Sequence, residues 1–453
     1  MKKALLPILV TMVVLMTILT NVSAVEIGID TENTGLTEVT MGSIVPVVSE
    51  SGKISLSIDG LGVYPANTGI IQVEKPSGAT VRAAYLAAAT TGFSHHKLSD
   101  GDITIDGVGV SWNIETPSSI SSWNYWANVT SIVKSKIDSA PAGRINFNIS
   151  EADTYSTDGV ILAVIFDDPS QMTDNTVVLL FGAQDVSGDT FAVLLAEPID
   201  KSDPNLVLDM SLGISFGYQT SYSQGQYSEV DVNGVRLTSS AGGQDDGQPA
   251  NGALLTVGGL DDSNANPADA YSHGDATNPR YDDELYSLIP LVADGDTNIN
   301  VFTKNPSNDD NIFFAAFFLS TSAVVGEGIV LSPVSATNVL NTQHTVTATV
   351  QDDYGQPIVG RNVTFTIVSG PHAGLTEIVA TDINGQAIFI YTGTSAGTDV
   401  IVASMMDSQG VTVQSNQVEK TWERRTSIPE FPPMAIGAIG VLAAIVLLRA
   451  RKD

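Results

Sequence analysis

Five acidic pairs stand out for the chemistry they could do: Asp245-Asp246, Asp261-Asp262, Asp282-Asp283, Asp294-Gly-Asp296 and Asp309-Asp310. Each falls in a turn-rich stretch at the end of a predicted strand. Carboxylates converging from several loops suit calcium, a hard cation that takes six to eight oxygen ligands at about 2.3–2.6 Å. The order of an EF-hand loop is missing, and a lone turn aspartate more often accepts hydrogen bonds from its own backbone. Calcium is the one cofactor the sequence raises, and it stands beside the plainer reading of turn-forming acids.

A second group is aromatic. Trp112, Trp123, Tyr125 and Trp126 put three of the chain's four tryptophans within fifteen residues. Exposed on a concave face they would stack on sugar rings; buried they would be ordinary core, the commoner fate of large aromatics. His95 and His96 are adjacent, and neighbours on a strand point to opposite faces, which makes a poor zinc pair. The chain has no phosphate-cradling Gly-Lys-Thr motif. No catalytic residue is assigned and no enzyme is expected, although the carboxylate pair of a glycosidase is defined by a separation in space that sequence does not give. Asn128-Val-Thr130, Asn148-Ile-Ser150 and Asn362-Val-Thr364 are glycosylation acceptors in an exported chain.

Strands must position all of these residues. Short alternating or β-branched runs such as Lys53–Ile58, Asp102–Ile105, Arg144–Ile149 and Val160–Phe166 are separated by Asp-Gly, Asn-Gly and Pro turns. Thr130–Ile137 and Asp282–Leu288 read as short helices or turns. The fold class is all-β: two related N-terminal β-sandwiches of jelly-roll type, an Ig-like sandwich, and a hydrophobic helix at each end. An internal echo supports the pairing of the first two. Ile103–Val110 parallels Val230–Leu237, each with an [Asp/Asn]-Gly hairpin turn. Tyr125–Val133, Arg144–Ile149 and Asp158–Phe166 are then echoed in order by Tyr281–Ile289, Asn298–Phe302 and Asp310–Leu319.

The ends set the expected topology. Lys2 and Lys3, an apolar run and Val22-Ser23-Ala24 form a signal peptide over 1–24. The sandwiches take 25–172 and 173–325, the Ig-like domain 326–420 and a linker 421–433. An apolar helix at 434–448 and a basic tail at 449–453 close the chain, and the helix is slightly shorter than the roughly 20 residues a bilayer core asks for. The formal charge of -30, from 50 acidic against 20 basic residues, repels a phosphate backbone and argues against nucleic acid as partner. With no cysteine, the exported chain is stabilised without disulfides.

Three stretches resemble known families. Thr345–Gly360, Asn362–Phe365, Thr381–Ala387 and Ala396–Val400 resemble the group 1 bacterial Ig-like domain, the stalk module of invasin and intimin adhesins, which implies a spacer or presenting unit with no catalytic residues. Pro429-Glu430-Phe431 before an apolar helix and Arg449-Ala-Arg-Lys452 resembles the PEF-type sorting signal of archaeal surface proteins. That resemblance implies an archaeosortase as processing partner. Trp126-Ala-Asn-Val-Thr130 and Asn305–Ala315 resemble an uncharacterised family of methanogen surface proteins, which carries no activity with it.

The expected function is that of an exported, membrane-tethered surface protein with a structural or adhesive role, facing envelope proteins or glycans. A calcium-dependent carbohydrate- or protein-recognition module is the alternative, and a surface hydrolase has the least support.

Overall fold

The computed structural model describes residues 37–38, 43–217, 228–242, 254–264 and 284–425, and over them the chain is almost wholly β. The signal peptide, the PEF motif and the sorting helix fall outside the described residues. Among the described residues no helix is long and apolar enough to cross a membrane.

The first unit uses β1 (Thr37–Glu38), β3 (Ile54–Leu61), β4 (Thr68–Lys75), β5 (Thr80–Thr90), β6 (Ile103–Ile105) and β7 (Val108–Gly109). It continues with β8 (Ile114–Pro117), β9 (Trp123–Asn128), α1 (Thr130–Ser139), β10 (Gly143–Glu151) and β11 (Thr157–Asp167). One sheet runs β1-β8-β9-β5-β11-β3 and the facing sheet β4-β10-β6-β7. The predicted helix at Thr130 forms, burying Val133 and Ile137. Lys75 Nζ donates to the carbonyls of Ile137, Asp138 and Ala140 at 2.8–3.0 Å, satisfying acceptors that the helix end leaves open.

The second unit repeats this plan. Its strands are β12 (Asn175–Ala183), β13 (Asp189–Leu195), β14 (Leu208–Ser215), β15 (Ser228–Val232), β16 (Val235–Ala241) and β17 (Leu255–Val257). Then come β18 (Leu285–Ser287), a 3-10 turn at Ile289–Leu291, β19 (Asn298–Lys304), β20 (Asn311–Leu319) and β21 (Ala323–Val325). The order β4-β10-β6-β7 is matched by β13-β19-β15-β16, and β5-β11-β3 by β14-β20-β12. Asp106-Gly107 and Asn233-Gly234 make equivalent hairpin turns with positive φ at both residues, as a two-residue type I′ loop needs. A shared order over seven strands is what duplication produces. Leu285–Ser287 pairs with β14 as a strand instead of forming the short helix or turn expected over Asp282–Leu288, because its partner edge supplies the ladder bonds.

One boundary moves. The strand β2 (Ser43–Gly52), expected inside the unit 25–172, pairs antiparallel with β12 and completes the second unit's sheet. Its alternation signals a strand but carries no record of which sheet it joins. Past the short β1, the chain therefore visits the second sandwich before building the rest of the first.

The two six-stranded sheets also pack on each other, giving four layers and three cores. The outer cores fill each sandwich, and the middle one joins Ile58, Ala87 and Ile161 of one unit to Val177, Leu179 and Phe314 of the other. Strands buried on both faces read as unbroken apolar runs, which is why Val160–Phe166 and Ile312–Leu319 do not alternate.

The third unit holds β22 (Gly328–Ser332), β23 (Ser335–Val339), β24 (Gln343–Gln351), β25 (Asn362–Ser369) and β26 (Thr376–Ala380). It ends with β27 (Gln386–Thr392), β28 (Gly397–Met406), β29 (Thr412–Gln414) and β30 (Val418–Glu423). Sheet β22-β24-β27 faces sheet β23-β30-β28-β25-β26. Val346, Ala348 and Val350, then Val363, Phe365 and Ile367, then Ala387, Phe389 and Tyr391 all turn into its core, the faces the alternation predicts.

Candidate functional site

The aromatic cluster is split by the sheet that carries it. Tyr125 and Trp126 are neighbours on β9 and so point to opposite faces. Tyr125 joins Trp112 in the first core, with ring centroids 5.2 Å apart. Trp126 enters the middle core, where it stacks on Tyr85 at 5.1 Å and meets Phe181 of the second unit at 5.5 Å. Trp112, Tyr125 and Trp126 are 6%, 0% and 4% exposed, so they form no sugar-stacking platform. Trp123 is half-buried under the Lys97 ammonium, 3.3 Å from the ring centroid. Of the two readings of this cluster, the geometry has the core.

Of the acidic turns within the described residues, Asp262 and Asp296 brace their own loops, while Asp261 and Asp294 bond to distant segments. Asp261 makes a two-pronged ion pair with Arg144 at 2.6 and 2.7 Å, tying the second unit to the first. Asp262 accepts from the Gly259 N–H, Asp294 from Lys201 N–H and Asp296 from Ala293 N–H. Asp309 and Asp310 precede β20. Asp245, Asp246, Asp282 and Asp283 lie outside the described residues. Among the described residues no group of three or more His, Asp or Glu side chains is arranged to hold a metal ion.

The acids with unusual surroundings are others. Glu151 follows Ile145, Phe147 and Ile149 on the inward face of β10 and is 3% exposed, with neither carboxylate oxygen hydrogen-bonded. Burial first, then the neighbouring charges of Asp158 and Asp153, push its pKa up to about 9. Asp158 begins the doubly buried part of β11. Burial raises it to about 7 against hydrogen bonds from Thr91 and the Phe216 N–H, and its Oδ2 has no partner. Asp310 occupies the equivalent place before β20 and is likewise raised by burial and by Asp309; its Oδ2 takes a 3.3 Å bond from Ser228 while Oδ1 has none. Duplication has thus kept a buried acid at the same end of both sandwiches.

In the third unit, Asp399 is fully buried and accepts from His372 Nδ1 at 2.7 Å, Trp422 Nε1 at 2.9 Å and Tyr391 Oη at 3.0 Å. An Asp-His pair invites a catalytic reading, with Thr394 Oγ1 3.4 Å from His372 Nε2. The Thr394 backbone N–H already donates to that nitrogen at 2.9 Å, which occupies the lone pair a general base would use. The network instead ties the turn at His372 to three strands.

The Asn128, Asn148 and Asn362 side chains are all exposed, as acceptors for glycans must be. Asn128 keeps its amide nitrogen free, since only its Oδ1 is engaged, by Thr130 N–H at 3.1 Å.

Two facing β-sheets around one apolar core, with a parallel closing pair between β23 and β30, give 326–420 the form of an Ig-like sandwich. Residues 333–420 form an Ig-like domain. They match the family described as bacterial Ig-like domain (group 1). No curated protein matches the chain. Among solved structures, the D0-D1 domain of intimin is 13% identical, with 56% of this chain and 92% of that one covered and a TM-score of 0.19. Fibronectin(III)-like modules of Clostridium thermocellum CbhA are 18% identical over 21% of this chain and 93% of theirs, with a TM-score of 0.16. A putative membrane anchored protein from Corynebacterium diphtheriae is 11% identical over 84% of this chain and 61% of that one, with a TM-score of 0.19. At these TM-scores the solved structures carry no part of the functional reading.

Proposed function

We propose that this is an exported, membrane-tethered archaeal surface protein whose double sandwich is displayed on an Ig-like spacer, working in envelope structure or adhesion and not as an enzyme. One observation carries the reading: the Ig-like domain is seated on the head through buried contacts. Gln351 Nε2 of the domain donates to Ala192 O of the second unit at 2.9 Å. The Glu197 carboxylate of that unit accepts the Val334 N–H at 2.6 Å, and Leu194 and Ala196 pack on Val330. A spacer fixed in this way holds its head at a set distance and angle, which presentation requires and catalysis does not. The leader over 1–24 and the PEF-type tail supply the tether, with an archaeosortase as processing partner.

The test is to shave intact cells with protease and to map the mature C-terminus by mass spectrometry. Head and Ig-like peptides should be released from intact cells, and the retained or processed end should lie within 421–453. Recovery of the whole, unprocessed chain from the cytosol would sink the proposal.

A further inference from the structure

Where the second sandwich meets the Ig-like domain the two surfaces leave a groove of about 510 Å³. That volume is within the roughly 300–1,000 Å³ typical of small-ligand sites. We infer that this groove is a binding site for a neutral oligosaccharide.

Three features of the wall lead there. Every side chain lining the groove is uncharged, in a chain of net charge -30. Thr297 and Asn298 of the head face Thr347, Thr349, Asn384 and Gln386 of the Ig-like domain, so amides and hydroxyls, each able to donate and accept, converge from both sides. Among the described residues nothing hydrogen-bonds the hydroxyls of Thr347 and Thr349 or the side-chain amide of Gln386. Leu194, Pro198 and Pro357 add apolar surface of the kind on which the C–H face of a sugar ring rests.

Gln351 supplies an independent sign. It lines the groove, is 3% exposed, and uses Nε2 to hold Ala192 O and Gly326 O at 2.9 and 3.0 Å. Its Oε1 is buried with no partner in the chain. A buried acceptor left unmet is destabilising, and a ligand hydroxyl donating to it would remove that penalty. The turn that builds the wall at Gly355 also carries Tyr354, which is 70% exposed.

The same geometry argues against an extended peptide. Strand-addition needs a free edge; β24 lies between β22 and β27, and β13 between β19 and β21, so these two central strands offer none and take part through side chains, while Ser332 and Gln386 come from β22 and β27 at the edges of their sheet. Charged glycans are disfavoured because no cationic group faces the groove.

The detergent-solubilised full chain is probed on an array of neutral oligosaccharides of glucose, galactose, mannose and N-acetylated hexosamines, with sialylated and sulfated glycans and unstructured peptides on the same array. Saturable binding to a neutral glycan is expected. It should weaken at least tenfold in the double variant Thr349→Val, Gln386→Leu, whose side chains hold no bond in the fold, with an unchanged melting temperature. Absence of neutral-glycan binding, binding confined to charged glycans or peptides, or equal binding by variant and parent would overturn the proposal and leave water as the partner of Gln351. The assay reads the purified chain, so its outcome is separate from the fate of the tether.

Discussion

Replacing Glu151 by Gln should flatten the pH dependence of the head's stability. The folded chain holds the Glu151 proton to about pH 9, while the unfolded chain releases it near 4.5. Between those values the native state carries a proton that the unfolded state has lost, so stability is fully present below pH 4.5 and falls as pH rises through the window. Each such proton is worth about 1.4 kcal/mol per pH unit, or roughly 4 kcal/mol between pH 5 and 8. Asp158, raised to about 7, adds a second slope over the lower part of the same range. Gln has the shape of the protonated acid and no charge to desolvate. Glu151→Gln should therefore match the parent near pH 4 and exceed it increasingly toward pH 8. Urea unfolding followed by tryptophan fluorescence is a suitable assay, because Trp112, Trp123 and Trp126 of the chain's four tryptophans report on the first unit. Parallel pH profiles for variant and parent would refute the reasoning, showing that the carboxylate is charged and solvated in the native state.

Trp126→Ala should cost about 3–5 kcal/mol, since the ring fills the core between the two sandwiches; calorimetry should show the head transition lowered and the Ig-like transition unmoved. Lys420→Met should stabilise the Ig-like domain by about 1 kcal/mol or more, because the ammonium is fully buried with no hydrogen-bond partner. Burial and the Lys420 charge hold His344 down at about 4, so the parent loses stability as pH falls from about 6.5 to 4, and Lys420→Met should shrink that loss in a pH series of melting temperatures. Glycopeptide mass spectrometry of the native protein should find a glycan on at least one of Asn128, Asn148 and Asn362, with the mass removed by the matching Asn→Gln change.

How much of this was legible depended on whether the signal is local. The alternation in Val346–Val350 and Val363–Ile367 specifies a strand with one wet face, and those faces are where the pattern puts them. The apolar runs at Val160–Phe166 and Ile312–Leu319 announce burial on both sides without saying what covers the second face, so the four-layer stack was not readable. Pairing is equally non-local: nothing in Ser43–Gly52 tells it from a strand of the first unit. The aromatic cluster pointed to a core without saying that there were two: adjacency in sequence is opposition on a strand, and Tyr125 and Trp126 enter different cores. Glu151 did leave a trace, an acid in phase with three inward apolar residues. The groove left none, since Thr297, Gln351 and Gln386 become neighbours only when two domains meet.

The duplication and the stack explain each other. A sandwich alone needs each sheet apolar on one face, yet the six-stranded sheets here are apolar on both, with Ala87, Ile161 and Trp126 turned away from the first core and Val177, Leu179 and Phe314 away from the second. Neither unit could leave that surface in water, so a single copy would aggregate or pair with itself. Fusing two copies makes the pair intramolecular, and β2 crossing to the second unit before the rest of the first is built closes the arrangement in the covalent chain. A pair joined in this way cannot open its middle core without losing the apolar contacts of both sheets. That rigidity would suit the presenting role proposed for the head.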